Sequence, residues 1–325
     1  KVQKRDAFTI FLVGGVDPNN QTRTHDDNFL WTLQKMSGVE WLSWDVLPNP
    51  NVGRDGQAFR LAGHSAVYDE KGLCLVVFGG RSPQTTNQVH IFSLSQGRWE
   101  KNVPVQGNRP RPRSYHSAVC IHAQDGTCMV VFGGNQDGRV LSDIWRFNIR
   151  ERRWFRCPKQ TDVQLLRTGR TGHSANAYQN KMIVFGGYDG HKCYSDIWQL
   201  TFPSFKWDRI HPSQNSEIPR PRTQHSADIS GHVLIVTGGF NPSDETEIFD
   251  DIWLFHIPSR MWQRNEAHPD NLPSLTAAAL VATEKDESGN RHKAILFGGN
   301  SASGCLNEAF YVRFQIKSRS SSGDK

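Results

Sequence analysis

Six times the chain runs from a short apolar stretch into a pair of glycines: Gly14-Gly15, Gly79-Gly80, Gly133-Gly134, Gly186-Gly187, Gly238-Gly239 and Gly298-Gly299. The second glycines stand 65, 54, 53, 52 and 60 residues apart. A period of roughly 40 to 50 residues built from short strands is the mark of a propeller, in which each repeat is one blade that cannot bury its apolar faces alone. A chain of 325 residues is long enough for two ordinary domains, but a ring of repeats makes one body.

The repeat at 113–157 shows the internal order. Residues 113–120 are expected as a short inner strand a. Cys128-Met129-Val130-Val131-Phe132 forms strand b and ends at the glycines. Leu141-Ser142-Asp143-Ile144-Trp145-Arg146-Phe147 alternates as strand c, and Arg152-Arg153-Trp154-Phe155-Arg156 forms the outer strand d. The same order recurs at 170–210 and 222–265. In all three repeats the tryptophans of strands c and d lie nine residues apart, and His90 and Trp99 keep that interval one repeat earlier. Paired glycines remove side chains and permit positive φ where strand b ends, which leaves room for these aromatics.

A double glycine after an apolar strand, a spaced aromatic and a second tryptophan resemble the kelch repeat. The likeness covers residues 7 to 316. It implies an all-β, six-bladed kelch-type propeller of four-stranded antiparallel blades at about 7–46, 58–101, 113–157, 170–210, 222–265 and 275–316, followed by a flexible Ser-rich tail at 317–325. Pro110-Arg111-Pro112-Arg113 and Pro219-Arg220-Pro221-Arg222, each followed by x-x-His-Ser-Ala, resemble the intracellular kelch adaptors. The terminal repeats depart from the pattern. The first opens at strand b (8–13) with no clear strand a, and Arg319 stands where the last strand d tryptophan is expected.

Antiparallel connectivity puts the b-to-c and d-to-a connections on one face. The long segments 47–57, 102–112, 157–166, 211–221 and 266–274 gather there, as binding loops on a rigid scaffold do. Strand a is innermost, so Arg113, Arg170 and Arg222, with Arg60 near the equivalent place, are expected around the mouth of the central channel. Arg81, Tyr188 and Phe240 directly follow glycine pairs and are candidates for the wall. Converging guanidinium groups would take an acidic side chain or a free C-terminal carboxylate. The same arginines could instead pair with a backbone carbonyl or an acidic loop residue of the next blade. His116, His173 and His225 repeat with the blades and read as core residues rather than a metal ring.

Catalysis, cofactor and metal are not expected. The copper constellation of galactose-oxidase-like propellers cannot be assigned. In the stretch from Glu247 through Asp251 to His256 the histidine falls one residue late for the iron pattern of specifier proteins, and on a strand such a slip moves a side chain to the other face. The acidic run Asp244-Glu245-Thr246-Glu247 reads as solvated or as counter-charge for nearby arginines. No apolar run approaches the roughly 20 residues of a membrane span. The six cysteines show no paired spacing and are expected as free thiols in an intracellular protein, cytoplasmic or nuclear. The chain lacks a starting Met and a signal-peptide pattern, in keeping with a fragment. The net charge of +6 suits an acidic partner, but no long basic block with interleaved aromatics stands out, so nucleic acid is not the expected ligand.

The function expected from the resemblance is protein recognition, as a substrate-receptor or adaptor domain of the ubiquitin-ligase kind. The alternatives are a scaffold subunit in a cytoskeletal, ciliary or transcriptional assembly and, more remotely, a metal-dependent specifier-like enzyme. The sequence does not name the partner, the oligomeric state or the manner of ring closure.

Overall fold

The computed structural model describes residues 8–13, 30–35, 42–47 and 61–315, apart from 159, 161–162, 215, 244–246, 266–271, 286–290 and 307. Four sheets are four-stranded antiparallel meanders, each named here by its first glycine. The Gly79 blade holds Ser65–Asp69, Cys74–Phe78, Val89–Ser93 and Arg98–Glu100. The Gly133 blade holds Ser117–Ala123, Gly126–Phe132, Ile144–Asn148 and Arg153–Arg156. The Gly186 blade follows with Ser174–Tyr178, Lys181–Phe185, Ile197–Thr201 and Lys206–Ile210. Ser226–Ser230, Val233–Thr237, Ile252–His256 and Met261–Arg264 make the Gly238 blade. The Gly298 blade has three strands, Ala279–Lys285, Arg291–Phe297 and Ala309–Gln315.

The inner strands pack one on the next in chain order, from Ser65–Asp69 to Ala279–Lys285. Five blades stand in this row, which corrects the expected six. Phe8–Val13, Leu30–Lys35 and Leu42–Leu47 form a further antiparallel meander, but it contributes no inner strand among the described residues. An outer strand of the Gly298 blade and the tail at 317–325 would fall outside the described residues.

Strand b of every four-stranded blade is a continuous apolar run, such as Val76, Val77 and Phe78 or Met129 to Phe132, with every side chain buried. Such a run is buried on both faces, as a strand between two neighbouring blades must be. The blades are joined by a repeated aromatic contact. Phe78, the last residue before its glycines, lies 4.8 Å from Trp154 and 5.3 Å from His116 of the next blade. Phe132 meets Trp207 and His173 in the same way, and Phe185 meets Trp262 and His225.

The glycine pair is required by that contact. Gly79 has φ +65°, and a Cβ there would sit 2.7 Å from the Arg113 carbonyl oxygen and 2.8 Å from Cε1 of His116. Its neighbour Gly80 donates its N–H to the same Arg113 oxygen at 2.8 Å, as Gly134 does to Arg170 and Gly187 to Arg222.

A second feature runs around the inner ends of the blades. Gly63, Tyr115, Gly172, Gln224 and Ala277 all adopt positive φ between 51° and 64°. Tyr115 donates its N–H to the Gly63 carbonyl, Gly172 to Tyr115, Gln224 to Gly172 and Ala277 to Gln224, at 2.7 to 2.9 Å. Left-handed backbone costs a non-glycine residue roughly 1–2 kcal/mol, and here each such residue is tied into a hydrogen-bond chain linking five blades.

The b-to-c connections, expected as irregular loops, include ordered hairpins: Arg81–Ser82 with Gln84–Thr85, Asn135–Gln136 with Arg139–Val140, and Asn300–Ser301 with Gly304–Cys305. A short helix, Gln164–Thr168, buries Leu165 and Leu166 in the d-to-a connection before the Gly186 blade. Among the described residues no helix is long and apolar enough to cross a membrane. All six cysteines are free.

Candidate functional site

Arg113, Arg170 and Arg222 do not open onto the channel. Their side chains are 0%, 1% and 0% exposed. The inner strand begins at Ser117 rather than 113, because the left-handed residue Tyr115 bends the chain. Arg113 therefore lies ahead of the bend, and its side chain runs back into its own blade. There Nη1 donates to the Gly133 carbonyl and to Oδ1 of Asp143, both at 2.9 Å, while Nη2 donates to Oδ2 at 3.1 Å. Arg222 repeats the arrangement on Gly238 and Asp251, at 2.9, 2.6 and 2.9 Å. Arg170 donates to Asp196 at 2.8 Å and packs its guanidinium 3.4 Å from the centre of the Tyr194 ring.

The carboxylates are shared with the strand c tryptophans. The indole N–H of Trp145 donates to Asp143, that of Trp198 to Asp196 and that of Trp253 to Asp251, at 2.7 to 2.8 Å. Burial pushes the Asp143 and Asp251 carboxyls up, but their arginine and indole donors more than offset it and hold both below the ordinary carboxylate range. The Arg113 and Arg222 pairs are bidentate, whereas Arg170 and Trp198 share Oδ2 of Asp196 and leave Arg170 Nε and Asp196 Oδ1 without a hydrogen-bond partner among the described residues. A partner's carboxylate would have to displace one already desolvated and hydrogen-bonded to both the arginine and an indole, and breaking such a pair costs roughly 3–5 kcal/mol. The three arginines are thus corrected from partner-binding to structural residues. Each pairs with an aspartate of its own blade, not of the next.

The aspartates were missed in the sequence, although a signal was present. Asp-Ile-Trp occurs at 143–145, 196–198 and 251–253, once in each repeat that has the arginine. In the Gly298 blade Leu275 and Glu308 take the places of the arginine and aspartate, as their backbone bonds to Gly239 and Gly298 show, Ala278, which follows the left-handed Ala277, takes that of the histidine, and Leu275 is buried.

The histidines are core residues as expected. Nε2 of His116, His173 and His225 meets the hydroxyl of Ser65, Ser117 and Ser174 of the preceding blade at 2.7 to 2.9 Å. Burial, reinforced by the neighbouring arginine, pushes His173 down to about 3 and holds the other two well below the usual imidazole range. No group of three His, Cys, Asp or Glu side chains among the described residues is placed to hold a metal. Glu247, Asp251 and His256 are engaged separately, with Arg220, Arg222 and Ser259. Residues 244–246 of the acidic run lie outside the described residues.

Arg81, Tyr188 and Phe240 form part of a different set. Each follows its glycine pair and bridges through the backbone to the residue just before the left-handed position: Arg81 to Ala62, Tyr188 to Thr171 and Phe240 to Thr223. Asn135 and Asn300 occupy the same place opposite Ser114 and Thr276; the sequence reading passed over them, although they too follow a glycine pair. The set forms a rim beside the hydrogen-bond chain, on the side where the b-to-c hairpins emerge. Arg81 is exposed, and its Nε donates to the Pro83 carbonyl at 2.9 Å. The other four are half-buried, with the Tyr188 hydroxyl donating to Gly190 at 2.8 Å. Tyr115, on the chain itself, is 39% exposed. Arg60 lies outside the described residues. The rim carries a cation, two amides, a phenol and a phenyl ring.

Three comparisons bear on what such a body is. The KLHDC2/KLHL20/DRC7 kelch-repeats domain model matches residues 6–163 and 63–288. Kelch domain-containing protein 3 is similar at 32% identity over 265 residues in Mus musculus, covering 76% of this chain and 62% of the relative. The Homo sapiens protein is 31% identical over 206 residues, covering 59% and 51%. The chain thus spans about half to three-fifths of the length of these curated relatives. The solved structure of YjhT superposes with a TM-score of 0.67 at 15% identity, covering 97% of this chain and 93% of that one, a likeness of fold alone. With its glycine pairs, blade-joining aromatics and matched repeats in one body, the chain belongs to the kelch-repeat family.

Proposed function

We propose that this propeller is a non-catalytic protein-recognition module that takes a peptide segment with an acidic side chain or free C-terminal carboxylate on its b-to-c hairpin face, as the intracellular substrate-receptor or adaptor part of a ubiquitin-ligase assembly. One observation carries the reading. Beneath the rim the repeats are nearly identical, with the same arginine, aspartate, histidine and tryptophan in three successive blades, while the five rim positions are Arg81, Asn135, Tyr188, Phe240 and Asn300. A shared scaffold that changes chemistry only at one ring suits recognition of an asymmetric ligand. Arg81 supplies the exposed cation that the buried arginines cannot.

The test is a library of peptides with varied internal and C-terminal sequences, screened against the chain and its Arg81→Glu, Tyr188→Ala and Phe240→Ala variants. Peptides selected by the parent should lose about tenfold or more in affinity, roughly 1.4 kcal/mol, with unchanged melting temperatures. Peptides that bind a variant combining all three substitutions as well as the parent would refute the rim as the site. Association with a cullin-type scaffold is tested by co-purification of the chain with defined ligase subunits.

A further inference from the structure

The outer strand of the Gly133 blade differs from its neighbours at one position. After the outer tryptophan the Gly79, Gly186 and Gly238 blades carry Glu100, Asp208 and Gln263. Glu100 holds Arg152 through two bonds of 2.7 and 2.8 Å, and Asp208 lies 3.2 Å from Lys206. The Gly133 blade carries Phe155 there.

That ring gathers arginines without neutralising them. The guanidinium carbons of Arg146 and Arg153 lie 4.7 and 5.4 Å from its centre, and that of Arg156 lies 5.9 Å from the Trp145 ring. Nearby carboxylates are engaged elsewhere: Asp125 by Arg146, Glu100 by Arg152 and Asp143 by Arg113 and Trp145. Exposed Arg153 and Arg156 have no ion-pair partner among the described residues. Both border a cleft of about 450 Å3 walled by Trp145, Trp154 and Phe155. Aromatic stacking holds a guanidinium in place while leaving its donors available.

The cleft also borders the outer strand edge, which is covered at 152–154 and open beyond. Gln106 pairs with this edge, donating its N–H to Arg152 and accepting that of Trp154. At Gly107 the chain turns away with φ +79°, so close that a Cβ would sit 2.7 Å from the Trp154 oxygen. Cys157 donates inward to Ile144, so by strand alternation the N–H of Arg156 faces outward, beyond the reach of Gln106.

We propose that this cleft is a second binding site, separate from the rim, for an acidic peptide segment that meets the open end of the edge at Arg156, with carboxylates on Arg153 and Arg156 and apolar side chains against Phe155 on one face of the strand and Trp145 on the other. The open edge beyond Trp154, where the Arg156 N–H faces outward, suits an extended peptide, which can add a short strand there. Arg152-Arg153-Trp154-Phe155-Arg156 is nonetheless a short basic and aromatic run, which the sequence reading passed over.

The experiment measures fluorescence anisotropy of a labelled peptide of Glu and Leu, and of a matched oligothymidine, with the whole chain. The peptide should bind more tightly than the oligonucleotide. Measured in a Tyr188→Ala background, which takes the rim out of play, affinity should fall about tenfold or more in Arg153→Glu/Arg156→Glu. Phe155→Glu, which restores the carboxylate the neighbouring blades carry, should weaken the peptide to a similar degree and guards against a folding defect in the double variant. Peptide affinity unchanged in both cleft variants, loss of binding through the rim variant alone, or tighter binding of the oligonucleotide would each overturn the proposal.

Discussion

Arg222 and Asp251 meet through two parallel hydrogen bonds of 2.6 and 2.9 Å, with side chains 0% and 7% exposed. The pair closes strand a onto strand c within one blade, and the Gly238 carbonyl and the Trp253 indole take up its remaining bonding capacity. Arg222→Ala is expected to destabilise the domain by about 3–5 kcal/mol, because it strands a buried carboxylate. Replacing both partners by apolar residues of similar volume should cost much less than the sum of the single changes. Urea unfolding of the double-mutant cycle measures this; a single variant of parental stability would show the pair to be dispensable.

The glycines of positive φ should rank by what surrounds them. Gly79→Ala meets both the strain of φ +65° and close contact with Arg113 and His116, and is expected to cost about 2–5 kcal/mol. Gly138 has φ +94° but nothing within 4 Å, so Gly138→Ala should cost only the backbone strain, about 1–2 kcal/mol. Thermal melts of the two variants give the comparison directly.

Acid should loosen the blade interfaces before it protonates the carboxylates. His173 and His90 are depressed, mainly by burial, to about 3 and about 4, and His116 and His225 lie well below the ordinary value. The fold buries their neutral forms, so their contribution is whole above the unfolded value near 6.5 and is lost as pH falls towards the folded values. At pH 5 each fully buried histidine should cost roughly 2 kcal/mol, at about 1.4 kcal/mol per pH unit. Melting temperature should therefore drop between pH 7 and 5, with a shallower slope in His173→Asn. A flat profile would mean that these histidines are protonated in the fold.

Thiol chemistry should report folding. Cys74, Cys128 and Cys157 are buried, and burial raises them to about 11, 11 and 12. Thiolate is the reactive form, so at pH 8 alkylation of these three should be slow in the native protein and rapid in denaturant. Mass spectrometry of the labelled peptides would reveal a contrary, fast-reacting native thiol.

Much of the architecture is written locally. The glycine pairs, the two-residue alternation of strand c, the apolar runs of strand b and the nine-residue tryptophan interval depend on neighbours in the chain, and they placed the strands of four blades and the core role of the histidines. The number of blades was not local, since it depends on which terminal segments bring an inner strand into the row. Nor was the fate of the arginines. Whether Arg113 faces the channel or the blade is decided by one left-handed residue, Tyr115, and by a carboxylate 30 residues further on. Charge repetition alone reads the same whether its partner lies within the molecule or outside it. Only the tertiary structure brought Asp143, Asp196 and Asp251 to the arginines, and in doing so it moved the candidate site outward to the residues that follow the glycines.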